Sequence, residues 1–187
     1  MSLDQLNAAR TLLLTEQKAA LDALATDQVD AALDHIQRAR RIFTTGAGRS
    51  GLAMRMAAMR LMHLGLSVYV VGETTTPAIG PGDLLIAASA SGTTASVLHA
   101  AQVATRSGAA VLTLTTATDS PLASLSTAIL HIPAASKADT AVRASQQYAG
   151  SLFEQAVLLT TDTLFHMLWK SGTQSAEDLL NRHANLE

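Results

Sequence analysis

The sequence predicts an α/β fold: a three-layer α/β/α sandwich on a five-stranded parallel sheet, with extra helices at both ends. Two observations carry this expectation. Short apolar runs alternate with helical patterns across residues 41–132, as successive strand–helix units do. The run Leu84-Leu85-Ile86-Ala87-Ala88 is apolar throughout, which suits a strand covered on both faces. At 187 residues there is material for one well-filled domain and not comfortably for two. The expected division is a helical arm over 1–40, the sheet core over 41–132 and C-terminal helices over 150–187.

Taken in order, residues 3–25 space Leu3, Leu6, Leu13, Leu21 and Leu24 among Ala, Gln and Lys, a helical pattern. Asp27 resembles a capping start for a second helix. That helix carries Val29, Ala32, Leu33 and Ile36 on one face and ends in the basic group Arg38-Ala39-Arg40-Arg41. Strands follow at 41–45, 67–71, 84–88, 109–114 and 127–132. Helices are expected from Leu52 to Leu64, over Ala95–Arg106 and, briefly, from Ser120-Pro121. Gly72–Gly82 is a long polar loop, and Pro133–Gln147 lacks periodicity and reads as a loop or lid. Gly150–Lys170 is a long apolar helix, expected to be buried on several sides and at a subunit interface. A shorter helix over Ala176–Asn185 ends the chain.

Composition narrows the function. Thirteen Lys and Arg against 15 Asp and Glu give a net charge of −2, with no basic run to follow a nucleic acid. Aromatic residues are 3%, too few for base-stacking platforms. Cysteine is absent, so thiolate and disulfide chemistry are out, and a reducing cytoplasm is the expected setting. The N-terminus has no signal-peptide pattern, and no apolar run is long enough to span a bilayer.

Two turns carry the chemistry. After the central strand, Ser89-Ala90-Ser91-Gly92-Thr93-Thr94 places four hydroxyls around one glycine and leads into a helix. Such a turn aims hydroxyls and backbone N–H groups where the helix dipole is positive, and so favours an anion. Ser91 or Thr93 serving only as a helix cap is the plainer alternative. No lysine follows the glycine, so this is not the nucleotide P-loop. After the first strand, Gly46-Ala47-Gly48-Arg49-Ser50-Gly51 fits the G-x-G-x-x-G pattern, with Glu73 lying 22 residues past Gly51. A dinucleotide enzyme is therefore a competing reading, although this strand follows two helices rather than opening the chain. Together the two turns suit a phosphorylated polyhydroxy compound better than a planar base. Gly46 and Gly48 permit close approach, and Arg49, Ser50, Ser89, Ser91, Thr93 and Thr94 supply donors.

The pairing of GAGRSG with SASGTT resembles the sugar isomerase (SIS) domain. More narrowly, those turns with Arg60–Gly65 (RLMHLG), Val70–Thr74 (VVGET), Gly150–Gln155 (GSLFEQ) and Arg182–Glu187 (RHANLE) resemble the 6-phospho-3-hexuloisomerases. The resemblance implies a flavodoxin-like sheet and isomerisation of 3-hexulose 6-phosphate to fructose 6-phosphate in formaldehyde assimilation. It further implies a homotetramer without metal or cofactor, and a functional link to 3-hexulose-6-phosphate synthase. Ala90 and Thr93 stand where that family often has glycine and an acid, and no proline precedes GSLFEQ.

Moving a carbonyl to the neighbouring carbon needs a base over both carbons and a group that shuttles the oxygen protons. Glu154, which matches the Glu of the GSLFE block, is the expected base, against the alternative of a first-turn carboxylate that only complements the helix dipole. His183 in the terminal block is the expected acid, reaching across an interface. His63, on the stripe Leu52, Met56, Met59, His63, reads first as a core histidine and second as that acid. Glu73 is a further candidate. His166 falls about 120° round the helix from Glu154 and should not share its site. The other open readings are a SIS isomerase of another phosphorylated sugar and a non-catalytic sugar-phosphate sensor.

Overall fold

The run of paired apolar strands does form one sheet. The computed structural model describes residues 2–134 and 145–186. Strands β1 (Ile42–Gly46), β2 (Val68–Val70), β3 (Leu84–Ala88), β4 (Ala110–Thr115) and β5 (Ala128–His131) make a parallel sheet in the order β2-β1-β3-β4-β5. The order steps outward from β1 in both directions, so the crevice of this open sheet lies between β1 and β3, beyond their carboxyl ends. The three central strands carry almost unbroken burial, as a sheet covered on both faces requires.

Successive side chains supply opposite layers. Ile42, Leu84, Ile86, Leu112 and Leu114 pack with helices α2 (Thr26–Arg38), α3 (Gly48–His63) and α5 (Ser151–Ser171). Phe43, Leu85, Ala87 and Val111 pack with α4 (Ala95–Arg106) and a single 3-10 turn at Ala123–Leu125. Helix α1 (Leu3–Asp22) lies against α5, and α6 (Ala176–Leu180) closes the described chain.

Several boundaries differ from expectation for physical reasons. Helix α3 begins at Gly48, so the glycine turn is itself the first turn of the helix. Helix α2 has Ala25 as its N-cap with no side-chain hydrogen bond, and Asp27 instead lies in the first turn, where a carboxylate suits the dipole. The final helix is cut to five residues because Arg182 and His183 turn back on Leu179 and Leu180 carbonyls. The stripe Leu52, Met56 and Met59 is exposed, whereas Ala53, Met54, Ala57, Ala58 and Leu61 form the buried face of α3. The small residues of that face let α3 lie close on β1 and α5. The expected lid over 133–147 lies partly outside the described residues.

At the amino edge of the sheet, Asp83 has a fully buried side chain and ties three segments. It accepts from Arg41 Nε at 3.1 Å and Nη2 at 2.6 Å, from Arg40 Nε at 3.2 Å and from the Gly80 N–H at 2.9 Å. Arg41 also donates to the Ala78 carbonyl at 2.9 Å, so the long polar loop is pinned to the start of β1.

Candidate active site

Gly46, the last residue of β1, is level with Ala88, the last of β3. The two hydroxyl- and glycine-rich turns therefore leave the sheet side by side. In the first turn α3 begins almost on top of β1. A Cβ on Gly51 would lie 2.8 Å from the Gly46 carbonyl oxygen, and one on Gly46 only 3.0 Å from the Gly51 nitrogen. This glycine pair is what lets the N-terminus of α3 open directly at the end of the strand. The same close packing underlies the dinucleotide pattern. Glu73, however, does not face the cleft between the turns: it is exposed and paired with Arg55 on α3.

In the second turn the hydroxyls bond to one another rather than cap the helix. Ser89 Oγ lies 2.9 Å from Thr94 Oγ1, and Ser91 Oγ lies 2.8 Å from Thr93 Oγ1. Thr94 is the N-cap of α4 and makes no side-chain cap bond. Ala90 takes an ordinary backbone angle, since Ala149 is the only non-glycine with positive φ among the described residues. A glycine at 90 is therefore not needed here. Gly92 is different. Its φ is +63°, and an added Cβ would lie 1.9 Å from Ser120 Oγ and 2.4 Å from Ser120 Cβ. Ser120 cannot swing away freely, because its hydroxyl donates to Ala117 O at 2.8 Å and accepts from Ala123 N at 3.3 Å.

Gly92→Ala is accordingly expected to destabilise the protein by about 3 kcal/mol, combining left-handed strain with overpacking. It should also weaken sugar-phosphate binding. Urea unfolding and ligand titration check both. A second change, Ser120→Gly, should recover more of the loss than Ser120→Ala, because the clash involves Ser120 Cβ as well as Oγ.

The third contribution comes from the start of α5. Ala47, Gly48, Ser50, Ser89, Ser91, Thr93, Thr94, Gly150, Phe153 and Glu154 surround a cleft of about 390 Å³, of the size that small ligands occupy. Glu154 is only 10% exposed on its side chain and lies 3.2 Å from Arg49 Nη1. Arg49 Nη1 also donates to Ser151 Oγ at 3.3 Å. Arg49 is thus neither a free surface arginine nor sealed in a core; it is 60% exposed and bridges the first turn to α5.

Helix ends explain why this cleft favours an anion. Helices α1 and α6 have capping boxes, in which Ser2 and Ser175 satisfy the first N–H groups. Helices α3, α4 and α5 start at the cleft and have no side-chain cap hydrogen bond. Three positive helix ends with uncapped first turns meet around the same space, which is the arrangement that binds phosphate.

The two expected histidines lie elsewhere in the chain. His63 is at the far end of α3, about 22 Å along the helix from Gly48. It is 2% exposed and stacked on His183, with ring centroids 3.9 Å apart. Burial, with help from His183 and Arg60, pushes the His63 pKa down. Arg182 donates to the His63 carbonyl at 3.0 Å and the Asp178 carbonyl at 3.1 Å, and Gln174 donates to Leu64 O at 2.7 Å. Arg182 and Gln174 therefore cap the C-terminal end of α3. Within one chain neither His63 nor His183 joins Glu154. His166 sits edge-on to Trp169, 6.0 Å between centroids, away from Glu154 as the helical period requires. Gly150, Ser151 and Phe153 were given no separate role by the sequence reading, although GSLFEQ had marked that helix start.

This geometry agrees with what the chain resembles. The SIS domain family matches residues 35–159. A Mycobacterium gastri protein named 3-hexulose-6-phosphate isomerase is 53% identical over 161 residues, covering 86% of this chain and 81% of that one. A Bacillus subtilis protein of the same name is 38% identical, covering 88% and 89%. The crystal structure of a Methanococcus jannaschii protein, for which a 3-hexulose-6-phosphate isomerase function was inferred, superposes with a TM-score of 0.79 at 29% identity. That match covers 99% of this chain and 100% of that one. The chain belongs to the SIS domain family and, within it, to the group of the 3-hexulose-6-phosphate isomerases.

Proposed function

We propose that the protein converts 3-hexulose 6-phosphate to fructose 6-phosphate, in the ribulose monophosphate route of formaldehyde assimilation. The observation that carries this is the pairing of one sheltered carboxylate with a three-helix anion cradle in a single cleft. The phosphate is held by the hydroxyl turn Ser89–Thr94 and by the N-termini of α3 and α4, with Arg49 and Ser50 adding donors. Gly46 and Gly48 keep the first turn's backbone close enough to contribute.

Glu154 takes the proton from C2 of the hexulose, leaving a cis-enediol across C2 and C3. It returns the proton to C3 while the oxygen protons exchange, and the carbonyl appears at C2. The charge that develops on the enediolate oxygens is met by Arg49 and by N–H groups of the uncapped turns. Neither metal nor cofactor enters this route. The oxygen-proton shuttle falls to a histidine, His183 ahead of His63, brought in by a second copy of the chain. Glu73, tied to Arg55 on the outer side of α3, is a reserve candidate acid.

The assembly is proposed as a homotetramer in the cytoplasm, built by residues 1–187 acting as one SIS domain. The exposed apolar stripe Leu52, Met56 and Met59 on α3 favours burial between copies. Light scattering on the purified protein checks it. A functional link to the synthase that makes the hexulose phosphate follows from the chemistry. Among the described residues, no helix is long and apolar enough to cross a membrane.

The test is a coupled assay in which a synthase makes 3-hexulose 6-phosphate from ribulose 5-phosphate and formaldehyde, and fructose 6-phosphate is detected. In deuterated water the product should acquire deuterium at C3, as proton exchange with an enediol demands. No product from folded protein would remove the hexulose reading, and other sugar phosphates would then be screened in the same assay.

A further inference from the structure

The N-terminal helix α1 takes no part in the sheet, yet one of its acids is bound to the segment that delivers Glu154. Glu16 is half-buried and accepts three hydrogen bonds from the chain just ahead of α5. Ser145 Oγ donates at 2.6 Å, the Gln146 N–H at 2.7 Å and Gln147 Nε2 at 2.9 Å. Its neighbour Gln17, buried on the same helix, donates through Nε2 to Gln155, the residue after Glu154. Helix α1 thus grips the chain on both sides of Glu154, ahead of α5 through Glu16 and within α5 through Gln17.

Between these two grips lies the only non-glycine residue with positive φ among the described residues, Ala149 at +51°. An L-residue takes that conformation at a cost, and the surroundings must hold it there. Ala149 is exposed, so packing does not do so. What fixes it is the hydrogen bonding on either side: Glu16 holds 145–147 upstream, and the Ser151 N–H donates to Tyr148 O at 3.2 Å downstream. Ala149 is followed at once by Gly150, which lines the cleft, and by Ser151, which touches Arg49.

We propose that Glu16 is a positioning residue for the isomerisation: its carboxylate holds the strained Ala149 turn that sets where Glu154 stands in the cleft. The inference rests on the isomerase reading above. Burial opposes the charge of Glu16, but the hydrogen bonds from Ser145, Gln146 and Gln147 outweigh it and hold its pKa below the ordinary value. The group that makes the contact is therefore the carboxylate. A neutral amide in its place keeps one acceptor oxygen. Its NH2 must face either the Gln146 N–H, which cannot accept, or a reoriented Ser145 and Gln147, and the charge assistance is lost either way. The phosphate cradle of the first two turns does not touch Glu16, so binding and chemistry should separate.

The experiment compares wild type, Glu16→Gln, Ala149→Gly and the double variant in the coupled assay, with hydrogen exchange read over residues 145–155. Lys18→Ala, an exposed change on the same helix, is the control and should behave as wild type. Glu16→Gln is expected to lower kcat about tenfold or more with KM little changed, because misplacing a reacting group affects the transition state more than the ground state. Its amides over 145–155 should exchange faster while those of the sheet do not. Glycine accepts positive φ without strain, so the double variant should recover much of the lost kcat. An unchanged kcat, exchange at the wild-type level over 145–155, or a double variant no better than Glu16→Gln would each overturn the inference. Should wild type itself not turn over hexulose phosphate, the isomerase reading fails by that result alone. The exchange comparison would still decide whether Glu16 holds the turn.

Discussion

Glu154→Gln is expected to reduce turnover by about a thousandfold while the protein stays folded and still binds sugar phosphate, the scale on which a positioned general base acts. The substitution keeps the side-chain shape and removes the charge, so the packing beside Phe153 and Gly150 has no reason to change. Binding should hold or tighten, because Arg49, now 3.2 Å from the Glu154 carboxylate, loses an internal competitor for the phosphate. Arg49→Gln should do the reverse: KM rises, and kcat falls less than in Glu154→Gln. Steady-state kinetics on the two variants, with deuterium exchange at C2 as a separate readout of proton abstraction, distinguishes base from anion clamp. Turnover surviving in Glu154→Gln would keep the reaction and move the base to Glu73 or to a histidine.

The alternative for Glu154 was a first-turn carboxylate that merely complements the dipole of α5. Exposure and direction argue against it. A carboxylate serving only the dipole gains about 0.3–1 kcal/mol and can stay in water. Glu154 is instead nine-tenths withdrawn from solvent and turned into the cleft beside the anion-favouring turns.

What could be read from the chain and what could not follows a physical line. The central strands were legible because a doubly covered strand must be apolar at every position, and Leu84–Ala88 is. Helix α4 was legible to its end residues because a hydroxyl turn precedes it and Ser107-Gly108 stops it. The two turns were legible because glycine and clustered hydroxyls have few other uses. Helix α3 misled: its large apolar residues Leu52, Met56 and Met59 look like a core stripe, while Ala53, Ala57 and Ala58 with Met54 and Leu61 do the burying. Periodicity weighs size, but close helix packing rewards smallness. The histidines were legible only in part: His63 is buried, in keeping with the core reading placed first for it. Sequence places His63 near a glycine turn and His183 near the terminus, and nothing local says that their rings stack. Glu16 was invisible because its partners lie about 130 positions further along the chain.

The other large effect lies at the opposite edge of the sheet from the cleft. Asp83→Ala is expected to destabilise the protein by about 3 kcal/mol at neutral pH, toward the lower end of the range for breaking a buried ion pair. The lower end applies because Arg41 is 25% exposed and Arg40 62%, so the orphaned cations recover some solvation. The pH dependence identifies the cause. Hydrogen bonding from Arg41, outweighing burial and aided by Gly80 and Arg40, holds the Asp83 pKa at about 2 against an ordinary 3.8. Because the folded value is depressed, the unfolded chain binds the proton more readily, and stability from this group rises with pH. It is complete above about pH 4, fades as pH falls and is gone below about 2, amounting to about 2 kcal/mol. Glu16 and Asp178 also have lowered pKa values, and they add acid sensitivity of the same sign. Only the difference between wild type and variant therefore isolates Asp83. In urea unfolding the gap between them should narrow by about 2 kcal/mol from neutral pH to the acid limit. A gap of constant width would mean that Asp83 holds the loop by shape alone, and that its charge contributes nothing to joining β1, β3 and the Gly72–Gly82 segment.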